Sequence, residues 1–228
     1  MSRAILGCIL AGSLVVGLPT AKAAVTVNVP GTSNPYLSGM PAGSTADGGD
    51  IAPDQSPVEL DGVSSGEVFT FSATGAVNNG GGSGSEYGNG GPDGIQGFQV
   101  SPGDQNGMSG LNTPVDAVLG VFLDDNQPDG FSSPSDLDFS TTDEQNFQSL
   151  SPELRQVFFI GDGLDASNNV QQFIAPVGAT RLFIGTADGY GWNDNSGSFD
   201  VTVTALPEPA GVWMLGVGCV SLLQRRRA

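Results

Sequence analysis

The feature that most constrains this chain is the shape of its apolar runs. Between residues 24 and 205 they are short, and each is closed by Gly, Pro, Asn or Asp. Such closures mark strands separated by turns and leave little room for helix. Val25 to Val29 alternates apolar and polar residues, as do Glu67 to Ala73 and Ser198 to Thr204. A period of two belongs to a strand with one buried face. Ala117 to Leu123 and Val157 to Ile160 are continuously apolar, the pattern of central strands. Gln171 to Ala175, stopped by Pro176, and Arg181 to Thr186 complete the set. Ser151-Pro152-Glu153-Leu154-Arg155 predicts one helical turn, with Ser as N-cap and Pro in the first position. The expected fold class is all-β, an antiparallel β-sandwich of jelly-roll type whose Phe residues form the core. The Gly-rich stretch 80–94, led by Asn79, predicts a long loop.

Charge and composition then exclude several functions. The 228 residues include 24 acids, 7 bases and no His, for a net charge of −17. Without His there is no Ser-His-Asp or Cys-His catalysis and no zinc site that needs imidazole. A chain this acidic is repelled by nucleic acid phosphates. Paired carboxylates would suffice for glycoside hydrolysis. In so acidic a chain some pairs are inevitable, and the expectation is a protein without enzymatic activity.

Both ends differ from the middle. Residues 1–23 read as a signal peptide: Arg3, an apolar stretch from Ala4 to Leu18, then Ala21-Lys22-Ala23 as a small-x-small cleavage site. Residues 206–228 begin with Leu206 and Pro207-Glu208-Pro209. An apolar run from Ala210 to Leu223 follows, and then Gln224 and Arg225-Arg226-Arg227. At about 1.5 Å per residue that run makes only a short transmembrane helix. This order resembles the PEP-CTERM sorting signal of exported bacterial proteins. The resemblance implies recognition by an exosortase and transient membrane insertion, with the Arg cluster on the cytoplasmic side. Delivery to the cell surface or extracellular matrix follows, through a membrane-anchored intermediate. Residues 24–205 remain as the β-sandwich domain. They hold 23 acids against Arg155 and Arg181, and both Cys8 and Cys219 fall in the ends. With no disulfide to hold a loop-rich acidic domain, divalent cations are the expected stabiliser.

The segment Asp188-Gly189-Tyr190-Gly191-Trp192-Asn193-Asp194-Asn195 gathers carboxylate and amide oxygens around two glycines. Calcium takes about six to eight oxygen ligands, and such a loop supplies many of them. Asp194-Asn195-Ser196-Gly197-Ser198-Phe199-Asp200-Val201 resembles the C-terminal motif of the PA-IL-like galactose-binding bacterial lectins. Gly66 to Gly75 resembles that family's first core strand, and Ala175-Pro176 to Asp188 its penultimate strand and calcium loop. The resemblance covers residues 58–204 with insertions. It implies one calcium ion whose coordination two galactoside hydroxyls complete. Carried over, Asp188, Asp194 and Asn195 are ion ligands that also meet the sugar. Gly191 and Asn79 lend backbone carbonyls. Asp194 stands where the family has Asn, the loop is one residue shorter, and the family's sugar-holding His-Pro pair has no counterpart. Gln96 or Gln99 is the candidate for the family's Gln, and Tyr190 and Trp192 for an apolar platform. Asp125, Asp129 and Asp136 have some of the spacing of an EF-type loop, with Gly130 at its sixth position, and mark a second candidate calcium site. Asp162 and Asp165 read as turn residues. The expected function is calcium-dependent carbohydrate binding, with an extracellular polysaccharide or glycoconjugate as partner. The alternative is a structural surface or biofilm-matrix protein in which calcium only stabilises the fold.

Overall fold

The computed structural model describes residues 22–80 and 88–207. The described residues from Lys22 to Leu206 belong to one compact unit. In chain order the strands are β1 (Val25–Pro30), β2 (Val58–Asp61), β3 (Val68–Asn78), β4 (Gln99–Val100), β5 (Leu111–Pro114), β6 (Val118–Leu123), β7 (Leu137–Asp138), β8 (Ser149–Leu150), β9 (Val157–Phe159), β10 (Gln172–Ile174), β11 (Arg181–Thr186) and β12 (Ser196–Leu206). One sheet runs β1-β12-β3-β10-β8, a second β2-β11-β6-β9, and a small third β4-β5-β7. All pairs are antiparallel except β8 with β10 and β5 with β7.

The alternating runs do what their period demands. β12 buries Phe199, Val201, Val203 and Ala205 and leaves Asp200 in solvent, while β3 buries Phe69, Phe71, Ala73 and Val77. The continuous run β6 is buried at every residue and lies between β11 and β9. Aromatic rings join the two larger sheets. Phe69 meets Phe122 at 5.9 Å and Phe158 meets Phe173 at 5.7 Å, while within the first sheet Phe71 stands edge-on to Phe173 at 4.9 Å. Each such pair adds about 0.5–1.5 kcal/mol beyond its buried area. The result is mostly β-sheet with little helix, consistent with a sandwich.

Several expectations need correction. The helical turn at 151–155 does not form: Arg155 takes φ 68°, and its N–H donates to the Phe122 carbonyl at 2.9 Å. A left-handed residue ends any right-handed turn. The α-helix is instead α1 (Thr142–Gln145), started by a capping box in which Thr141 and Glu144 each bond the other's backbone N–H. Part of the predicted loop at 80–94 is tied down, since Gly90 pairs with Val77 and Gly91 with Gly94; residues 81–87 lie outside the described residues. So do residues 1–21 of the predicted signal peptide, the predicted transmembrane helix, and Glu208, Pro209, Arg225, Arg226 and Arg227. Pro207 is described and exposed. No helix among the described residues is long and apolar enough to cross a membrane.

Candidate metal and ligand site

Two strand pairings, one from each large sheet, deliver the polar residues to one corner. β6 and β11 pair up to Val118 opposite Thr186. The pairing runs on past the strand ends: Asp116 donates its N–H to the Ala187 carbonyl, and Ala187 donates to Ala117, at 2.8 Å each. Asp116 is thereby set beside Asp188. In the other sheet Ser196 pairs with Asn78, so Asn195 and Asn79 are the next residues on the two chains. Gly90 closes the corner. It exchanges backbone hydrogen bonds with Val77, and its N–H also donates to Asp116 Oδ2 at 3.0 Å. A Cβ on Gly90 would stand 2.3 Å from the Asp116 Cβ, so no larger residue fits there.

Four buried oxygens in this region have no hydrogen-bond partner among the described residues: Asn79 Oδ1, Asp116 Oδ1, Asp188 Oδ2 and Asn195 Oδ1. Asp116 is 0% exposed, Asp188 5% and Asn195 8%. In three of these residues the other polar atom is anchored. Asp116 Oδ2 is held by Gly90, Asp188 Oδ1 accepts from the N–H groups of Gly189 (2.6 Å) and Tyr190 (3.3 Å), and Asn195 Nδ2 donates to the Gly31 carbonyl at 3.1 Å. The side chains are therefore fixed while one oxygen of each is left without a donor. A buried polar atom in that condition costs about 1–3 kcal/mol.

Electrostatics tell the same story. Burial raises the Asp116 carboxyl to about 7; the Gly90 N–H pulls it down and the nearby Asp188 charge pushes it up. Asp188 is also raised, chiefly by burial, against which Asn195 and the Tyr190 and Gly189 N–H groups act, with the Asp194 charge adding to the rise. Two buried carboxylates so close need a positive charge to stay ionised. Among the described residues no base provides it: Lys22 pairs with Glu67. Arg181 binds the Asp124 carbonyl and Glu59, and Arg155 lies over the Phe131 ring at 4.6 Å.

The 188–195 loop is shaped from below by Asp50. This carboxylate is 0% exposed and accepts four hydrogen bonds: from Asn34 Nδ2 and Trp192 N–H on Oδ2 (2.9 Å each), and from Asn193 N–H (2.9 Å) and Nδ2 (3.0 Å) on Oδ1. It holds the 3-10 turn Trp192–Asp194, which Gly191 opens at φ 81°. The Gly191 carbonyl accepts only a long 3.5 Å bond from the Asp194 N–H.

Most of the expected site residues come together, and some expectations change. Asp188 and Asn195 lie in the corner with Asp194 exposed at its rim, near enough for its charge to act on Asp188. Asn79 is there too, and its side-chain oxygen is an atom without a partner among the described residues. Asp116 was not expected. The signal available was a lone carboxylate in Pro114-Val115-Asp116-Ala117, directly before the most apolar strand. Trp192 is no sugar platform: it is 0% exposed and donates Nε1–H to the Thr186 carbonyl at 2.8 Å. Tyr190 is 72% exposed. Gln96 is turned away, donating to the Asp93 carbonyl and Gln145. Gln99 is exposed and pairs with Pro114 on β5. Asp125 accepts from Thr180 and Asp129 from Gln127, while Asp136 lies beside Asp104. Asp162 and Asp165 are turn residues, accepting from Leu164 N–H and from Ser167 and Asn169 N–H.

Among the described residues no three Asp, Glu, Cys or His side chains cluster closely enough to hold a metal by themselves. The corner offers two carboxylates and two amides, an all-oxygen set suited to a hard cation. No family model matches the chain, and no curated protein matches it. Among solved structures the chain is similar to one described as "EclA N-terminal domain; PllA-like lectin", at 17% identity over 79% of this chain and 95% of that one, with a TM-score of 0.36.

Proposed function

We propose that this chain is a calcium-dependent carbohydrate-binding protein without enzymatic activity, exported to the cell surface or matrix. The observation that carries the reading is the corner of four buried oxygens without donors, two of them on carboxylates raised by burial. Asp116, Asp188, Asn195 and Asn79 would hold the ion, with the Gly191 carbonyl and Asp194 completing the protein's share. Calcium supplies a positive charge to the buried pair and coordination positions that vicinal sugar hydroxyls can fill. Asp188, Asp194 and Asn195 are the residues assigned to meet those hydroxyls, and exposed Tyr190 offers its ring to a sugar face. The resemblance of the 194–201 motif to the PA-IL-like lectins makes a galactoside the first ligand to try. Export rests on the signal peptide and the PEP-CTERM-like end, with an exosortase as processing partner.

The burial of Asp116, Asp188 and Asn195 favours one second reading, a matrix protein whose calcium is purely structural. Titration calorimetry with galactose separates the two. The lectin reading expects heat of binding in calcium, none in chelator, and none for Asp188→Ala in either. Calcium binding with no response to galactose or to a panel of other glycans would leave the structural reading.

A further inference from the structure

A second group of oxygens takes no part in the site above. Residues 104–108 form a tight hairpin in which Gln105 and Met108 exchange backbone bonds of 3.2 and 2.9 Å, with Asn106 and Gly107 at φ 51° and 78°. The hairpin is clamped over Tyr36: Asn106 Nδ2 donates to the Tyr36 carbonyl at 2.9 Å and to the Thr45 carbonyl at 3.1 Å. Just beyond it, the Gly110 N–H donates to Asp104 Oδ1 at 2.8 Å. A Cβ on Gly110 would meet Asp136 Oδ2 at 2.7 Å and the Pro102 carbonyl at 2.9 Å. Three oxygens, from Pro102, Asp104 and Asp136, therefore crowd one residue that has no side chain. The carboxyls of Asp104 and Asp136 lie within hydrogen-bonding reach of each other. Two ionised carboxylates keep such a contact only with a proton or a cation between them. Beneath them is Tyr36, 0% exposed, whose hydroxyl has no hydrogen-bond partner among the described residues. The side-chain charges that act on that hydroxyl are those of Asp136 and Asp104. A buried phenol facing two acids with nothing to bond is the mark of a ligand between them.

We propose that Asp104, Asp136, the Pro102 carbonyl and the Tyr36 hydroxyl form a second binding site for a hard divalent cation, calcium in the first instance. The donors are all oxygen. Asp104 and Asp136 are exposed, so this ion exchanges with solvent, unlike one in the buried corner. It ties the 101–110 segment to the start of β7 and to Tyr36. The Tyr36 ring packs edge-to-face on Trp192 at 5.9 Å, which places the ion where it braces the 188–195 loop from the far side. The site stands on its own residues and does not depend on the proposed function.

The test is calorimetric titration of calcium into the metal-free full chain, alongside the double variant Asp104→Asn with Asp136→Asn and the single variant Asp188→Asn. The double variant should lose one ion per chain and retain the one that Asp188→Asn removes. Gly110→Ala, which sets a methyl among the same oxygens, should weaken that second ion about tenfold, as losing one charge-assisted contact does. The same number of ions bound by wild type and by a folded double variant, with unchanged affinity in Gly110→Ala, would overturn the proposal. If only Asp188→Asn leaves calcium binding untouched, the first site fails and this one stands.

Discussion

Asp116→Asn should raise stability without calcium and abolish the response to it. Asp116 is wholly out of solvent, and its carboxyl is raised from 3.8 to about 7. At pH 8 the folded chain must carry this charge at the full difference, roughly three pK units or about 4 kcal/mol at about 1.36 kcal/mol each. The corner is only partly closed, since Asp194 at its rim is exposed, so screening leaves about half, roughly 2 kcal/mol. The amide oxygen keeps the Gly90 N–H bond, and the amide N–H2 can donate toward the Asp188 side of the corner. For a unit of this size about 2 kcal/mol corresponds to roughly 4–8 °C in Tm. The assay is thermal melting at pH 8 in chelator and in calcium. Wild type should gain from calcium by mass action, while the variant melts higher than wild type in chelator and gains little from calcium. A variant that melts below wild type in chelator, or keeps the full calcium response, would refute the reasoning.

Metal-free wild type should lose stability as pH rises from about 4 to about 7. The folded chain keeps the Asp116 proton, as its carboxyl is raised to about 7, after the unfolded chain has released it, and Asp93 and Asp188 shift the same way. Denaturant midpoints across that range check it, and a flat profile would contradict it. Gly90→Ala should cost about 1–3 kcal/mol by overpacking against Asp116, read by the same denaturant melts. Asp50→Ala strands four donors, three of them in the 188–195 loop, and should cost about 3 kcal/mol while weakening calcium binding measured by calorimetry. Tyr190→Ala should leave Tm and calcium affinity alone and weaken glycan retention, because the side chain is 72% exposed.

The long elements were legible because their burial is local in cause. β12 and β3 alternate, and β6 is apolar throughout, so period alone placed them. β4, β7 and β8 have two residues each, too few to show any period, and exist because longer strands nearby offer an edge. The capping box at Thr141 and Glu144 emerges only in the structure, and the turn predicted at 151–155 gives way because Arg155 answers to a distant carbonyl on Phe122. The site divides the same way. Asp188, Asp194 and Asn195 share one stretch of chain and announce themselves by composition. Asp116 becomes part of the corner only through its pairing with Ala187, and Asp104 meets Asp136 only through the fold around Gly110. Trp192 sits in a polar segment, and its packing on Tyr36 reveals it as core.

In the proposed function one cation is bound by the four-oxygen corner and is used to bind sugar. The most direct measurement is calcium titration of the metal-free protein with galactose absent and present, in wild type and Asp188→Asn. Wild type should bind calcium more tightly when galactose is present, as linkage requires of two ligands sharing a site, and Asp188→Asn should lose this dependence. A calcium affinity at the Asp188-dependent site that neither galactose nor any other glycan alters would contradict it.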